Sequence, residues 1–322
     1  MNTHGQIEVR VERKAQEAME IVTFELVGLG GQSLPPFSAG AHIDVHVPGG
    51  ITRQYSLCND PTETHRYLIG VLRDPQSRGG SRALHDQVQV GDVLSISSPK
   101  NHFTLVHDAP NSLLLAGGIG ITPLLCMAER LSMTGARFNL HYFSRSPERT
   151  AFRTRIASSG FADSVHFYYD TETSEQPFDL ATILKTQPPD THLYVCGPRG
   201  FMDTVLFNAR SMGWPTSHLH YEFFSGEVTP SGQDGGFEVK VASSGRVVKV
   251  GKGETVVAAL AAAGVEILTS CEQGVCGTCL TRVLAGKPDH KDSYLTPEER
   301  VAEDQFLPCC SRSKSPLLVL DI

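Results

Sequence analysis

Cys271-Glu272-Gln273-Gly274-Val275-Cys276-Gly277-Thr278-Cys279, closed by Cys309 after 29 intervening residues, decides how this chain is read. Four cysteines in the order C-x4-C-x2-C…C have the plant-type spacing for a 2Fe-2S cluster, in which each iron is held by two thiolates. Three sulfurs must converge from one short loop while backbone N–H groups point at them and offset the cluster's charge. Gly274 and Gly277 supply the freedom for this, because they tolerate φ > 0 and place no Cβ in the way. Zinc suits the pattern less well, since only Cys276 and Cys279 form an x2 pair and the loop contains no histidine. A disulfide framework does not suit a chain of this length with eight cysteines and no secretory signal. Cys271, Cys276, Cys279 and Cys309 are therefore the expected metal ligands. Cys310 breaks the spacing and is expected to be a bystander.

The 322 residues, 40% apolar and 20% charged, are enough for two or three globular domains. The opening MNTHGQIEVRVERK has no apolar stretch after a basic one, and no later run approaches ~18 uninterrupted apolar residues. A cytoplasmic protein without a membrane partner is expected. A net charge of -7 argues against nucleic acid, whose phosphates need a concentrated basic surface. The stretch 226–236 (GEVTPSGQDGG) has the Gly, Pro, Ser and Asp content of a linker.

Over residues 1–107, IEVRVERKA, MEIVTFELV, AHIDVHV, HRYLIGVLR and DVLSIS alternate apolar and polar residues between glycines and prolines. That pattern predicts closely spaced antiparallel strands and a small barrel. In Arg53-Gln54-Tyr55-Ser56, Arg53 and Tyr55 share one strand face and offer a guanidinium for a phosphate and a ring to stack on a flat cofactor. Ser56 can hydrogen-bond a ring nitrogen. Arg78-Gly79-Gly80-Ser81 precedes a short helix that Ser81 is expected to cap, leaving free N–H groups for an anion. His42, Asp44 and His46 alternate with Ile43, Val45 and Val47. H-x-D can begin an iron triad, but the alternation predicts an outward polar face.

Between 108 and 226, Ser112-Leu113-Leu114-Leu115-Ala116 reads as a buried parallel strand. It runs into Gly117-Gly118-Ile119-Gly120-Ile121-Thr122-Pro123 and then a helix, with Thr122 expected at the N-cap, Pro123 at the first helical position and Gly135 at the stop. A glycine turn between strand and helix lets backbone approach a pyrophosphate. FNLHYF, VHFYYD and HLYVC continue the β/α alternation of a doubly wound parallel sheet. Cys196-Gly197-Pro198 falls at a carboxyl strand end, where ligands bind such sheets.

Taken together, R-Q-Y-S, G-G-I-G-I-T-P, Y-V-C-G-P-R-G-F-M and the cysteine loop, in this order, resemble the phthalate dioxygenase reductase family over essentially the whole chain. The resemblance implies a flavin-binding β-barrel at 1–107, an NAD-binding α/β domain at 108–226, a linker at 227–236 and a β-grasp 2Fe-2S ferredoxin domain at 237–322. It puts Arg53, Tyr55 and Ser56 on the flavin, with Gly79, Gly80 and Ser81 near its phosphate. Thr122 would stand between flavin and nicotinamide. Gly118 and Gly120 would line the pyrophosphate, and Cys196, Gly197 and Pro198 would stand by the nicotinamide. Phe224, with Phe223 as competitor, would lie against the flavin face. FMN rather than FAD is implied by Arg53 with 78–81. NADH is expected as donor, with Ser144-Arg145 where a 2′-phosphate could bind.

Electron counting gives these parts a common sense. A nicotinamide delivers two electrons as hydride and a cluster accepts one, so a flavin between them must hold the pair and release it singly. No cysteine is followed by histidine at Rieske spacing, so oxygen chemistry must lie on a separate oxygenase or demethylase. Two rival readings are a reductase for another acceptor, such as a diiron hydroxylase or a free electron-transfer protein, and a redox sensor.

Overall fold

The computed structural model describes residues 6–75, 79–170, 179–224, 235–269 and 271–322. The chain divides into two compact units, one reaching to Glu222 and the other beginning at Phe223.

The first unit opens with six antiparallel strands: β1 (Gln6–Ala18), β2 (Ile21–Gly28), β3 (His42–Val47), β4 (Ile51–Ser56), β5 (Arg66–Leu72) and β6 (Val93–Ser97), in the order β4-β3-β6-β1-β2-β5. Their alternation sends Val9, Val11, Phe24, Leu26, Ile43, Val45, Tyr67 and Ile69 into one core, which Ala83 and Leu84 of helix α1 (Gly80–Asp86) help to fill. Just past β4, Leu57 bridges Ile69 of β5, so the two edges of the sheet meet and close it as the barrel expectation requires. Gly79, with φ 103, is the residue preceding α1. Ser81 lies inside the first turn and accepts a hydrogen bond from Asp74 N at 3.3 Å. The expected serine cap is thus replaced by a glycine, the residue that accommodates this positive φ without strain.

Five parallel strands follow: β7 (Asn111–Gly117), β8 (Arg137–Ser144), β9 (Val165–Tyr169), β10 (Thr191–Cys196) and β11 (Leu219–Glu222), ordered β11-β10-β7-β8-β9. Helix α2 (Ile121–Thr134) packs with Leu114, Ala116, Leu140, Tyr142, Tyr194 and Cys196 in a single core. Leu113, Leu115, Leu193 and Val195 alternate to the other face and are also fully buried. Both faces are therefore covered, as in a doubly wound sheet. The helices α3 (Arg153–Ala157), α4 (Leu180–Lys185) and α5 (Arg199–Ser211) complete this part. Gly135 stops α2 at φ 67, as its position predicts. The helix starts two residues earlier than expected: Gly120 precedes it, and Thr122, already in the first turn, donates through Oγ1 to Ile119 O at 3.0 Å.

The second unit carries β12 (Phe237–Val241), β13 (Val247–Val250), β14 (Thr281–Ala285), β15 (Pro288–Asp289), β16 (Gln305–Phe306), β17 (Arg312–Ser313) and β18 (Leu317–Leu320). Five of these form a sheet in the order β13-β12-β18-β14-β16, with β15 and β17 paired apart. Helix α6 (Val256–Ala262) packs Val256, Ala259 and Leu260 on that sheet, capped by Thr255 Oγ1 accepting from Ala258 N. Helix α7 (Pro297–Ala302) starts with a reciprocal capping box between Thr296 and Glu299.

Candidate functional site

The loop from Cys271 to Cys279 follows α6, and Cys309 follows β16. All four thiols are buried, none more than 5% exposed. They fall into two pairs: Cys271 shares a hydrogen bond with Cys276, and Cys279 shares one with Cys309, which shares a second with Cys310. Among the described residues no three of His, Cys, Asp and Glu close on one point as a single metal ion requires. Two pairs of thiols are what two irons need, each taking two sulfurs, so the donor set fits a 2Fe-2S cluster and fits zinc poorly. Backbone N–H groups of Gln273 and Val275 reach Cys271, the former at 3.3 Å, and Thr278 Oγ1 lies 3.2 Å from Cys276 Sγ. The hydrogen bond from Cys271 pulls the Cys276 thiol down to about 5. The bond from Cys309 likewise lowers Cys279. In each pair one thiol is thus held more acidic than an ordinary cysteine.

Both loop glycines take positive φ, 72° each. A Cβ on Gly277 would stand 2.3 Å from the Tyr294 ring. Cys310 is buried beside Cys309 and backs onto Gly274, supporting the loop from outside.

In the first unit, the residues singled out in the flavin-binding part converge around β4. Arg53 runs against Gly80, where a Cβ would stand 2.5 Å from the Arg53 Cγ, so α1 can begin directly on that side chain only because position 80 is glycine. Arg78 lies outside the described residues. Tyr55 packs at the margin of the barrel core. Ser56 is buried and donates through Oγ to Glu222 Oε2 at 3.3 Å. Glu222 ends β11, so this bond joins the barrel to the parallel sheet. Burial pushes the Glu222 carboxyl up to about 8, with the Ser56 hydrogen bond opposing. Sequence reading gave Glu222 no role, because nothing local marks a carboxyl for burial.

The expectation of an outward polar face on β3 is overturned. His42 and Asp44 are 3% and 6% exposed. The alternation is as read, with Ile43 and Val45 in the barrel core, but the polar face is covered too. Gln54, Lys100 and Glu222 lie against it, with Asp44 paired to Lys100 Nζ at 2.7 Å.

The second cluster of expected residues gathers at the carboxyl ends of β7 and β10. A Cβ on Gly120 would stand 2.2 Å from Cys196 O, and one on Gly197 would stand 2.9 Å from Gly117 Cα. Strand ends and helix start thus meet backbone to backbone, which glycine alone permits. Gly118, with φ 53, has open space beside it, and Pro198 precedes α5. Cys196 sits in the core and burial raises its thiol well above the ordinary range, so what it can present to a ligand is backbone. Thr122 Cγ2 and the Phe152 ring pack against Gly70 of β5. Ser144 Oγ is turned inward, 2.6 Å from Thr150 Oγ1, while Arg145 is exposed. Phe223 is half-buried and Phe224 is 37% exposed. No helix among the described residues is long and apolar enough to cross a membrane.

Comparison with known proteins agrees with this geometry. Residues 239–314 match the family model for the 2Fe-2S iron-sulfur cluster binding domain. The chain is 52% identical over 317 residues to vanillate O-demethylase oxidoreductase of Pseudomonas putida, covering 98% of this chain and 100% of that one. It is 39% identical over 321 residues to phthalate dioxygenase reductase of Burkholderia cepacia, covering 99% and 98%. A solved phthalate dioxygenase reductase, described as a modular structure for electron transfer from pyridine nucleotides to [2Fe-2S], superposes with a TM-score of 0.80 at 38% identity, covering 99% of this chain and 98% of that one. With the barrel, the parallel sheet and the cysteine loop in the same order from end to end, this chain belongs to the phthalate dioxygenase reductase family.

Proposed function

We propose that this chain takes a hydride from NADH, holds the electron pair on FMN and passes single electrons through its 2Fe-2S cluster to a separate Rieske-type oxygenase or demethylase. It is an oxidoreductase, the reductase component of an oxygenase system. The observation that carries the electron path is the two-plus-two pairing of Cys271 with Cys276 and Cys279 with Cys309, a donor set for a one-electron carrier. In this reading the flavin part spans 1–107, the nicotinamide part 108–226 and the ferredoxin 237–322. The linker at 227–236 lies mostly outside the described residues.

When bound, the flavin supplies the step between two-electron and one-electron chemistry. Arg53, Gly79, Gly80 and Ser81 would hold its phosphate, Tyr55 its ring, and Phe224 its outer face. Ser56 and Glu222 would accept and release the proton that accompanies the electron pair. A carboxyl that ionises near neutrality suits that task. Gly118 and Gly120 would receive the pyrophosphate of NADH, while Thr122 and the backbone of Cys196, Gly197 and Pro198 would position the nicotinamide. Ser144 is turned inward and Arg145 stays exposed, so the choice of NADH over NADPH rests on the family resemblance rather than on this pair.

The test is Cys276→Ser in the full chain. NADH-dependent reduction of ferricyanide should persist while reduction of cytochrome c and of the oxygenase is lost. Equal loss of both would overturn the serial order, and release of an AMP-containing flavin would overturn FMN.

A further inference from the structure

Behind Ser56 and Glu222 stands a buried polar side chain that the proposed function does not use. His42 Nδ1 is buried without a hydrogen-bond partner and lies 3.8 Å from Glu222 Oε1. Its tautomer follows from its other neighbour. Gln54 Nε2 lies 3.1 Å from both His42 Nε2 and Asp44 Oδ1. A carboxylate only accepts, so the Gln54 amide nitrogen gives one hydrogen to Asp44 and the other to His42 Nε2, which must be the unprotonated ring nitrogen. The ring proton is then on Nδ1, the atom that faces Glu222. Burial pushes the imidazole down to about 4, with Asp44 opposing and His102 and Lys100 assisting, so the ring is neutral near pH 7.

We propose that His42 is a positioning residue for Glu222: its Nδ1–H, unpartnered while the carboxyl is neutral, becomes the second hydrogen-bond donor to the carboxylate, beside Ser56, once the proton has left. The inference rests on the reading of Ser56 and Glu222 as the proton-handling pair. Three strands supply the three side chains, His42 from β3, Ser56 from β4 and Glu222 from β11. The buried Cys196 thiol of β10 also feels Glu222. The other titratable groups around His42 are Asp44, Lys100 and His102: Lys100 Nζ pairs with Asp44 at 2.7 Å, and the His102 ring lies 5.6 Å from the His42 ring. The 3.8 Å separation is about 0.9 Å longer than a usual N–H···O bond, as suits a neutral carboxyl that has yet to attract its donor. With one donor gone, the carboxylate would keep Ser56 alone, and a buried carboxylate with fewer donors binds its proton more tightly.

The experiment follows the Glu222 carboxyl stretch by infrared spectroscopy against pH in the full chain, assigned by its loss in Glu222→Gln. His42→Leu should move the midpoint up by about one pH unit, a tenfold loss of acidity. His42→Asn, whose amide nitrogen stands where Nδ1 does, should stay within a few tenths of the parent. A midpoint unchanged in His42→Leu, or shifted equally in His42→Asn, would overturn the proposal. If the leucine chain does not fold, His42→Gln takes its place, with its amide beyond the Nδ1 position. Flavin content and NADH-dependent ferricyanide reduction of the parent chain, measured on the same samples, judge the proposed function separately from the titration.

Discussion

Gly274 lies against Cys310 so closely that a Cβ on the glycine would stand 2.3 Å from the cysteine sulfur. The cluster loop therefore has a thiol behind it that supports its shape without belonging to either thiol pair assigned to iron. Gly274→Ala adds this collision to the cost of a left-handed conformation, about 1–2 kcal/mol for a residue with a Cβ. Iron per chain after anaerobic reconstitution should fall sharply, and adding Cys310→Ala should restore part of it. No recovery in the double variant would mean that the backbone conformation alone decides.

Cys309 and Cys310 should separate cleanly on the same assay. Cys309→Ser is expected to lose the cluster, because it removes the partner of Cys279. Cys310→Ala should keep two irons per chain, with stability lower by about 1 kcal/mol for the lost sulfur contacts. The opposite ranking would reassign the fourth ligand.

Arg312, 7% exposed, donates to three backbone carbonyls: Glu254 O at 2.5 Å, Gly251 O at 3.0 Å and Gly235 O at 3.2 Å. Its guanidinium also stacks over the Phe237 ring at 5.2 Å. One planar fork thus pins two separate stretches of the second unit, 235–237 and 251–254. Lysine cannot reproduce the fork. Arg312→Lys and Arg312→Ala should each destabilise this unit, the alanine by about 2–4 kcal/mol. Thermal loss of the cluster's visible absorbance reads the effect, and an unchanged midpoint for both variants would contradict it.

Gly118 and Gly120 differ although both lie in one turn. Alanine at 118 meets no atom and should cost only its φ of 53°, about 1–2 kcal/mol. Alanine at 120 would press on Cys196 O and Gly197 N, both backbone and both buried against it. Gly120→Ala should therefore raise the KM for NADH and lower Tm far more than Gly118→Ala. Equal effects would show that the two glycines serve the same purpose.

Glu222 makes stability depend on pH in a definite direction. Its carboxyl is raised from 4.5 to about 8 by burial, so between those values the folded chain holds a proton that the unfolded chain has released. The contribution is fully present below about pH 4.5 and is lost as pH rises through about 8. Glu222→Gln removes this dependence. Urea midpoints at pH 5, 7 and 9 should fall less steeply in the variant than in the parent, and parallel slopes would contradict a largely enclosed, protonated carboxyl.

Much of the architecture was legible. Alternation marked the barrel strands, and a continuous apolar run marked the buried parallel strand β7. Helix starts were less legible. Ser81 and Thr122 have the right chemistry for caps, yet at both places a glycine precedes the helix, because there the chain must turn tightly against Arg53 or Cys196 and a side chain would not fit.

What the sequence determined by itself is whatever depends on spacing along the chain: four cysteines at intervals that suit two irons, and glycine turns between strand and helix. What only tertiary structure decided is which polar groups are enclosed. Ser56 and Glu222 are 166 residues apart and meet because two sheets pack together. His42 and Asp44 alternate like surface residues but are buried, because segments distant in sequence cover them. Periodicity records which side of a strand is polar; whether that side meets water is set by what packs on it, and no local pattern carries that information.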